Sequence, residues 1–271
     1  MAHHALDFSA GTDIGRRRKV NEDSALAGPR LLAVADGMGG HPHGDVASRT
    51  AVTTLAAHPL TGDPAAALAA AVAAIAARLA ELARQDPELA RMGTTLTAMA
   101  WDGTRFAVAH IGDSRAYLLR AGELSQLTRD HTMVQSLMDS GRLTPSEAAA
   151  HPRGSALVRA LQSEGSGEPD VFWHDALPGD RYLLCSDGVF GVVRPEAIRD
   201  TLAGDARPAD AVARLIDLAN SGGGPDNITC VVADVVPSGD APDREPLLLG
   251  AAADDGGPGR LARLGRRFHR P

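Results

Sequence analysis

Three apolar runs of this 271-residue chain end in an aspartate beside a glycine. Leu31 to Ala35 runs into Asp36-Gly37, Tyr182 to Cys185 passes through Ser186 into Asp187-Gly188, and Phe106 to Ile111 ends at Gly112-Asp113. A fourth acid, Asp226, stands immediately before the run Ile228 to Val236. One Asp-Gly after a strand is an ordinary turn. Four acids at strand ends are different, because strands of a sheet bring their ends to common edges and carboxylates gathered there repel. Lys19 is the sole lysine, so ammonium partners are scarce. Oxygen donors without cysteine suit hard cations, Mg²⁺ or Mn²⁺, and glycine after the acid would let a metal or its water approach the backbone. A multinuclear, carboxylate-bridged metal site is expected.

The N-terminal stretch adds Asp13-Ile14-Gly15, the cationic run Arg16-Arg17-Arg18-Lys19, and Asn21-Glu22-Asp23 with two adjacent acids. Arginine grips phosphate through two parallel N–H bonds from a planar fork. Alone, the run reads as a solvated basic turn; beside a metal rim it reads as a phosphate clamp.

These residues need a scaffold, and the intervening sequence reads as one α/β domain. From about Leu31 to Val236, strand-like runs alternate with alanine-rich helical stretches. Leu68, Val72, Ile75, Leu79 and Leu82 recur at steps of four and three, which predicts one helix from about Pro64 to Arg84. Thr94 to Trp101, Arg105 to Ile111 and Ala116 to Arg120 read as an antiparallel meander turned at Asp102-Gly103 and Ala121-Gly122. Thr144-Pro145-Ser146-Glu147 spells a capping box, with Pro152 expected to stop that helix. Residues 130–161 thus read as a small helical insertion of the kind that covers a site. After Pro237 the composition turns to Pro, Gly and Asp, then to Arg260, Arg263, Arg266, Arg267 and Arg270 without an acid, so residues 238–271 are expected to be a linker and basic tail outside a domain of residues 1–237.

Composition narrows the functions. Two cysteines, Cys185 and Cys230, both beside apolar runs, argue against a disulfide framework or a cysteine zinc knuckle. A formal charge of −7 and 3% aromatic residues argue against nucleic acid as the main partner. No apolar stretch reads as reaching the roughly 18 residues of a membrane span, and the N-terminus lacks a signal-peptide pattern, so a cytoplasmic protein is expected.

In their order along the chain, the motifs resemble the metal-dependent type 2C protein phosphatases, the PPM family, and in particular its bacterial serine/threonine branch. They are Asp13-x-Gly15-x-x-Arg18-x-x-Asn21-Glu22-Asp23, Asp36-Gly37-Met38-Gly39-Gly40-His41, Gly93-Thr94-Thr95, Gly112-Asp113-Ser114-Arg115, Asp130-His131, Cys185-Ser186-Asp187-Gly188 and Gly224-Pro225-Asp226-Asn227-Ile228-Thr229. The resemblance implies an α/β (α+β) fold: a central antiparallel β-sandwich flanked by helices on both sides, four αββα layers with a small helical flap. It implies Asp36, the Gly37 carbonyl, Asp187 and Asp226 as ligands of two Mn²⁺ or Mg²⁺ ions, with Glu22 and Asp23 close by. Asp113 with Asp187 would carry a third ion, and Arg18 would bind the substrate phosphate. The implied reaction is hydrolysis of phosphoserine and phosphothreonine by in-line attack of a metal-bridging water, without a phosphoenzyme. The implied partners are phosphoproteins, substrates of bacterial serine/threonine kinases, for a monomeric enzyme. Met38 stands where many relatives have histidine, so the leaving alkoxide would take its proton from a metal-bound water, His41 or His43. Asp45 replaces a commoner glutamate behind the ligands.

Two rival readings have definite signatures. His41-Pro42-His43-Gly44-Asp45 spells H-x-H-x-D, the start of a zinc hydrolase motif of metallo-β-lactamase type, with His110 downstream; Val46 replaces the histidine that normally follows the aspartate. A catalytically silent phosphoprotein-binding scaffold would usually lack one of the metal acids, and here Asp36, Asp187 and Asp226 are all present. With one lysine no G-x-x-x-x-G-K exists, and no G-x-S-x-G elbow occurs, which excludes P-loop nucleotide and serine-esterase chemistry at the level of motif.

Overall fold

The computed structural model describes residues 4–38, 43–149, 151, 154, 156–165, 167–204 and 206–255. The expectations for His41, for the stop at Pro152 and for the arginine-rich tail lie outside the described residues.

In chain order the elements are β1 (His4–Asp13), β2 (Asp23–Ala27), β3 (Leu31–Asp36), α1 (Gly44–Ala57), α2 (Pro64–Gln85), β4 (Gly93–Thr94), β5 (Leu96–Trp101), β6 (Arg105–Ile111), β7 (Arg115–Arg120), β8 (Glu123–Gln126), α3 (Met133–Asp139), α4 (Pro145–Ala149), β9 (Leu161–Gln162), β10 (Asp170–Asp175), β11 (Arg181–Cys185), α5 (Asp187–Phe190), α6 (Pro195–Ala203), α7 (Pro208–Ser221), β12 (Ile228–Pro237) and β13 (Leu247–Gly250). One antiparallel sheet has the order β1-β12-β11-β7-β8, a second β10-β6-β5-β3-β2-β13, and β4 with β9 makes a small ribbon.

Three apolar layers show how the sheets stack. Leu32 and Val34 of β3 meet Tyr182 and Leu184 of β11 between the two sheets. The alternate residues Leu31, Ala33 and Ala35 face Leu55 of α1 and Leu68, Val72, Ile75 and Leu79 of α2. On the far side, Leu183 and Cys185 face Ile198 of α6 and Leu215 of α7. The central strands are therefore covered on both faces, so they read as continuous apolar runs rather than alternating ones. The result is the expected αββα sandwich.

Local signals hold where they are strong. Helix α2 starts one residue after Asp63, whose carboxylate accepts from the Ala66 amide, with Pro64 in the first turn. The capping box closes in both directions: the Thr144 amide donates to Glu147 at 2.8 Å and the Glu147 amide to Thr144 Oγ1 at 3.4 Å.

Four expectations are corrected. Thr94 to Trp101 is not one strand, since β4 and β5 are separated at Thr95. The meander stops at β6: Gly112 takes φ +107°, and β7 crosses to the other sheet, where it pairs with β11 and β8. The boundary at residue 237 is also too early. Leu247–Gly250 adds a sixth strand against β2, Ala251 and Ala252 are buried behind it, and Arg244 donates to the Phe8 carbonyl at 2.7 Å. Pairing with β2 places Leu248 against the core under α1 and Leu249 between the sheets, an anchorage that no local pattern announces. Finally, α2, with 22 residues, is long and apolar enough, by length and composition, to cross a membrane, contrary to the reading of the sequence. Its Leu68–Leu79 stripe is committed to the core of the sandwich.

Candidate metal centre

Antiparallel pairing puts the singled-out acids at one end of the sandwich. Asp23 opens β2 directly opposite Asp36, which closes β3. In the other sheet Cys185 is opposite Cys230, so Asp187, two residues beyond β11, and Asp226, two residues before β12, leave the sheet at the same edge. Ser186 ties the sheets together by donating to Asp23 Oδ2 at 2.8 Å. Asp113 follows β6 after Gly112 and is buried, as is Asp23; Glu22, Asp36, Asp187 and Asp226 keep partial access to solvent.

The glycines after the acids have a steric reason of their own. A Cβ on Gly188 would lie 1.9 Å from the Asn227 carbonyl oxygen, and one on Gly37 would lie 2.5 Å from that of Glu22 and 2.4 Å from that of Gly44. Glycine is required here because neighbouring backbone already fills the side-chain volume. Backbone bonds then fix the acid of β3: the Thr95 amide and the Thr94 hydroxyl both donate to the Asp36 carbonyl, each at 2.9 Å.

The electrostatics are those of an uncompensated cluster. Burial pushes Asp23 up to about 7, with Asp187 and Asp226 adding to the rise against the hydroxyls of Thr229 and Ser186. Asp36 is driven well above the usual carboxylate range by burial and by Asp23, Asp187, Asp113 and Asp226. Asp187 rises to about 6, by burial and then Asp226, although it lies within hydrogen-bonding reach of Asp36; Asp113 rises to about 7, by burial and then Asp187. Among the described residues the cation bonded to the group is Arg18, which donates to Asp226 at 2.7 Å and faces Glu22 at 3.7 Å, while the Arg115 charge also opposes the rise at Asp113 and Asp187. Among the described residues no three His, Cys, Asp or Glu side chains close around a single point. What they form is a rim of oxygen donors that repel one another, and a donor set of that kind fits hard divalent cations.

Each sequence-derived site residue falls on this rim or at its edge. Arg18, Glu22, Asp23, Asp36, Asp113, Asp187 and Asp226 are linked by the contacts and mutual repulsions above, and the Gly37 amide is held by the Glu22 carbonyl at 3.2 Å. Asp45, in the first turn of α1, raises Glu22 from behind, after burial, the largest effect, which the Arg18 charge opposes. His43 sits at the start of α1 with φ +69°.

The zinc reading loses its downstream ligand. His110 is fully buried, with Nδ1 bonded to the Thr97 hydroxyl at 2.9 Å and Nε2 to the Arg129 carbonyl at 3.0 Å. It is engaged on both nitrogens.

Three residues quoted only within motifs prove to be the joints of the site. Asn227 accepts from the Glu22 amide at 2.9 Å and donates to the carbonyls of Ile14 and Val20, each at 3.0 Å. His131 accepts from the Gly112 amide at 3.1 Å while its own amide donates to the Gly112 carbonyl at 2.7 Å, which roots the helical insertion at Asp113. Arg115 grips Asp130 with Nε and Nη2 and lies 3.8 Å over the Phe190 ring. Their signal in the sequence was polarity beside an acid, which does not say what a side chain will hold.

A family model described as protein phosphatase 2C matches residues 10–222. The serine/threonine protein phosphatase PstP of Mycobacterium tuberculosis is 49% identical over 253 residues, 92% of this chain and 49% of the relative. The protein phosphatase PhpP of Streptococcus pneumoniae is 35% identical over 240 residues, 85% of this chain and 98% of the relative. The chain thus spans about half the length of the first relative and nearly all of the second. The crystal structure of the M. tuberculosis serine/threonine phosphatase PstP/Ppp superposes with a TM-score of 0.82 at 49% identity, covering 86% of this chain and 99% of that one. The catalytic domain of PstP in complex with two manganese ions gives 0.80 at 48% identity, with 86% and 99% covered. By the family model and these likenesses together, the chain belongs to the protein phosphatase 2C family.

Proposed function

We propose that this chain is a metal-dependent protein serine/threonine phosphatase, which hydrolyses phosphoserine and phosphothreonine by in-line attack of water and forms no phosphoenzyme. The observation that carries the reading is the rim itself: Asp23, Asp36, Asp113 and Asp187 are all raised by burial and by the neighbouring acids, against only partial relief from Arg18 and Arg115. The solved phosphatase domain with two manganese ions, 48% identical, supports the same cofactor here.

Asp36, the Gly37 carbonyl, Asp187 and Asp226 would hold two Mn²⁺ or Mg²⁺ ions, Glu22 and Asp23 would hold their waters or one ion, and Asp113 with Asp187 would take a third. Bound there, the ions supply an acidified water as nucleophile and positive charge for the phosphoryl oxygens. The protein's own part is positional. Ser186 fixes the Asp23 carboxylate, Thr94 and Thr95 fix the Asp36 backbone, and Asn227 fixes the Glu22 backbone. Arg18 has five N–H donors, and those that Asp226 does not take are free for a substrate phosphate. Met38 has no proton to give the leaving alkoxide, so a metal-bound water, His41 or His43 would be the source.

The substrates are phosphoproteins, targets of bacterial serine/threonine kinases, acted on in the cytoplasm by a monomer. Phosphate release from a phosphothreonine peptide, measured in EDTA and after Mn²⁺ is added back, tests the reading. Release only with Mn²⁺ supports it. Release undiminished by EDTA contradicts it, restoration by Zn²⁺ alone returns the zinc hydrolase, and peptide binding without release returns the silent scaffold.

A further inference from the structure

The turn between β1 and β2 carries more positive charge than Arg18 accounts for. Arg16, Arg17 and Lys19 are exposed, and none makes an ion pair among the described residues. The nearby acids are engaged elsewhere: Asp13 accepts from the Gly15 amide at 2.8 Å, and Glu22 and Asp226 face Arg18. Partly buried arginines of this acidic chain, such as Arg115, Arg120 and Arg181, are matched with carboxylates, whereas Arg16, Arg17 and Lys19 are left exposed.

The turn is also held in place. The Arg16 amide donates to the Gly224 carbonyl at 2.7 Å, and Asn227 grips the turn at both ends through Ile14 and Val20. Gly15 takes φ +80°, and a Cβ there would lie 2.1 Å from the Asp226 carbonyl oxygen. The backbone that carries the three cations is thereby fixed beside Asp226 and Arg18, although their side chains reach into solvent. The turn is apolar at its ends as well: of the five large apolar side chains exposed among the described residues, Ile14 at 39% and Val20 at 57% flank the cationic run.

We propose that this turn recognises negative charge flanking the phosphorylated residue of the substrate, either Asp and Glu side chains or a second phosphate. The proposal deepens the phosphatase reading and rests on it. Arg18 meets the phosphate to be cleaved, Arg16, Arg17 and Lys19 meet the flanking charges, and Ile14 and Val20 offer shoulders for an apolar neighbour. Exposed charge pairs are weak one by one and screened by salt. Three acting together favour the encounter with an acidic segment, so the effect belongs in kcat/KM at low ionic strength.

Three phosphothreonine peptides test this with the Mn²⁺-loaded chain: neutral flanks, Asp and Glu flanks, and a second phosphothreonine in the flank. The expected kcat/KM ratio of charged to neutral peptide is about tenfold at low salt and near one at about 0.5 M salt. In the triple variant Arg16→Gln, Arg17→Gln, Lys19→Gln the ratio collapses towards one, and in Arg16→Lys, Arg17→Lys it is retained. A larger ratio for the Asp and Glu peptide assigns carboxylates as the preferred partner, and a larger one for the doubly phosphorylated peptide assigns phosphate. A wild-type ratio near one, or a ratio that survives the triple substitution, overturns the proposal. No Mn²⁺-dependent phosphate release from any peptide defeats the phosphatase reading itself, and this surface with it.

Discussion

Strand β11 carries an aspartate near each end, and the two have opposite fates. Asp180, just before the strand, is buried, which alone would push its carboxyl up; bonds from Arg120, the Leu177 amide and the Tyr182 hydroxyl outweigh this and hold it below the usual range. Arg120 reaches it with Nε at 2.8 Å and Nη2 at 2.6 Å. Nearby, Arg181 and Asp234 pair across β11 and β12 at 2.6 Å. Asp187, two residues beyond the other end, is bonded to no arginine among the described residues and is pushed up to about 6 by burial and Asp226, against the charges of Arg18 and Arg115. The same residue type flanking the same strand is thus a closed structural joint at one end and an open donor at the other. What separates them is whether the fold supplies the cation or leaves it to come from solution.

The strongest way to break this comparison is Asp187→Asn. We expect about a 10³-fold loss of kcat/KM on a phosphothreonine peptide in Mn²⁺, while the melting temperature of the metal-free chain holds or rises, because one repelling charge is gone. A fall in metal-free stability with activity kept would make Asp187 a structural acid like Asp180.

Arg18→Lys comes next. A single ammonium keeps the charge beside Asp226 but loses the planar fork, so kcat/KM should fall about thirtyfold, and equal rates for the two proteins would remove Arg18 from phosphate binding. At the closed end, Asp180→Asn should lower stability by about 2 kcal/mol, less than for a fully buried pair because Arg120 is partly exposed. Chemical denaturation measures that loss, and kcat on a small phosphate ester should be unchanged.

The smallest effect is one of pH. In the folded metal-free chain Asp23 and Asp113 are raised to about 7 and Asp187 to about 6, from 3.8. Raised acids bind more protons folded than unfolded between those limits, so their contribution is complete below about pH 4 and is lost as pH rises towards 7. Asp180, which is lowered, has the opposite sign and loses its contribution as pH falls below its ordinary range. In EDTA the melting temperature should drop by roughly 5 °C between pH 5 and 7.5, and Mn²⁺ should remove most of that drop. Stability in EDTA that rises steadily over the same window would show that the rim acids are not repelling one another.

The open end was legible in the sequence to an unusual degree, because its acids terminate apolar runs buried on both faces and a strand end locates its residue at a sheet edge. The closed end was not: Arg120 and Asp180 are sixty residues apart, and nothing local marks them as partners. The same limit explains β7. A hairpin signal at Ala121-Gly122 correctly gives β7 with β8, since both residues take positive φ, but the turn after β6 does not say that the chain changes sheets. It also explains β13, whose four residues gain their place only from β2, more than two hundred positions earlier. Short-range chemistry was readable; long-range pairing was not.

The most direct test of the rim as a cation site is calorimetric titration of the metal-free chain with Mn²⁺ near pH 6.5, repeated in two buffers of different ionisation enthalpy. Two or three ions should bind per chain and release protons from the raised carboxyls, with binding severely weakened in Asp187→Asn. Fewer than two ions, no proton release, or indifference to that substitution would contradict the account.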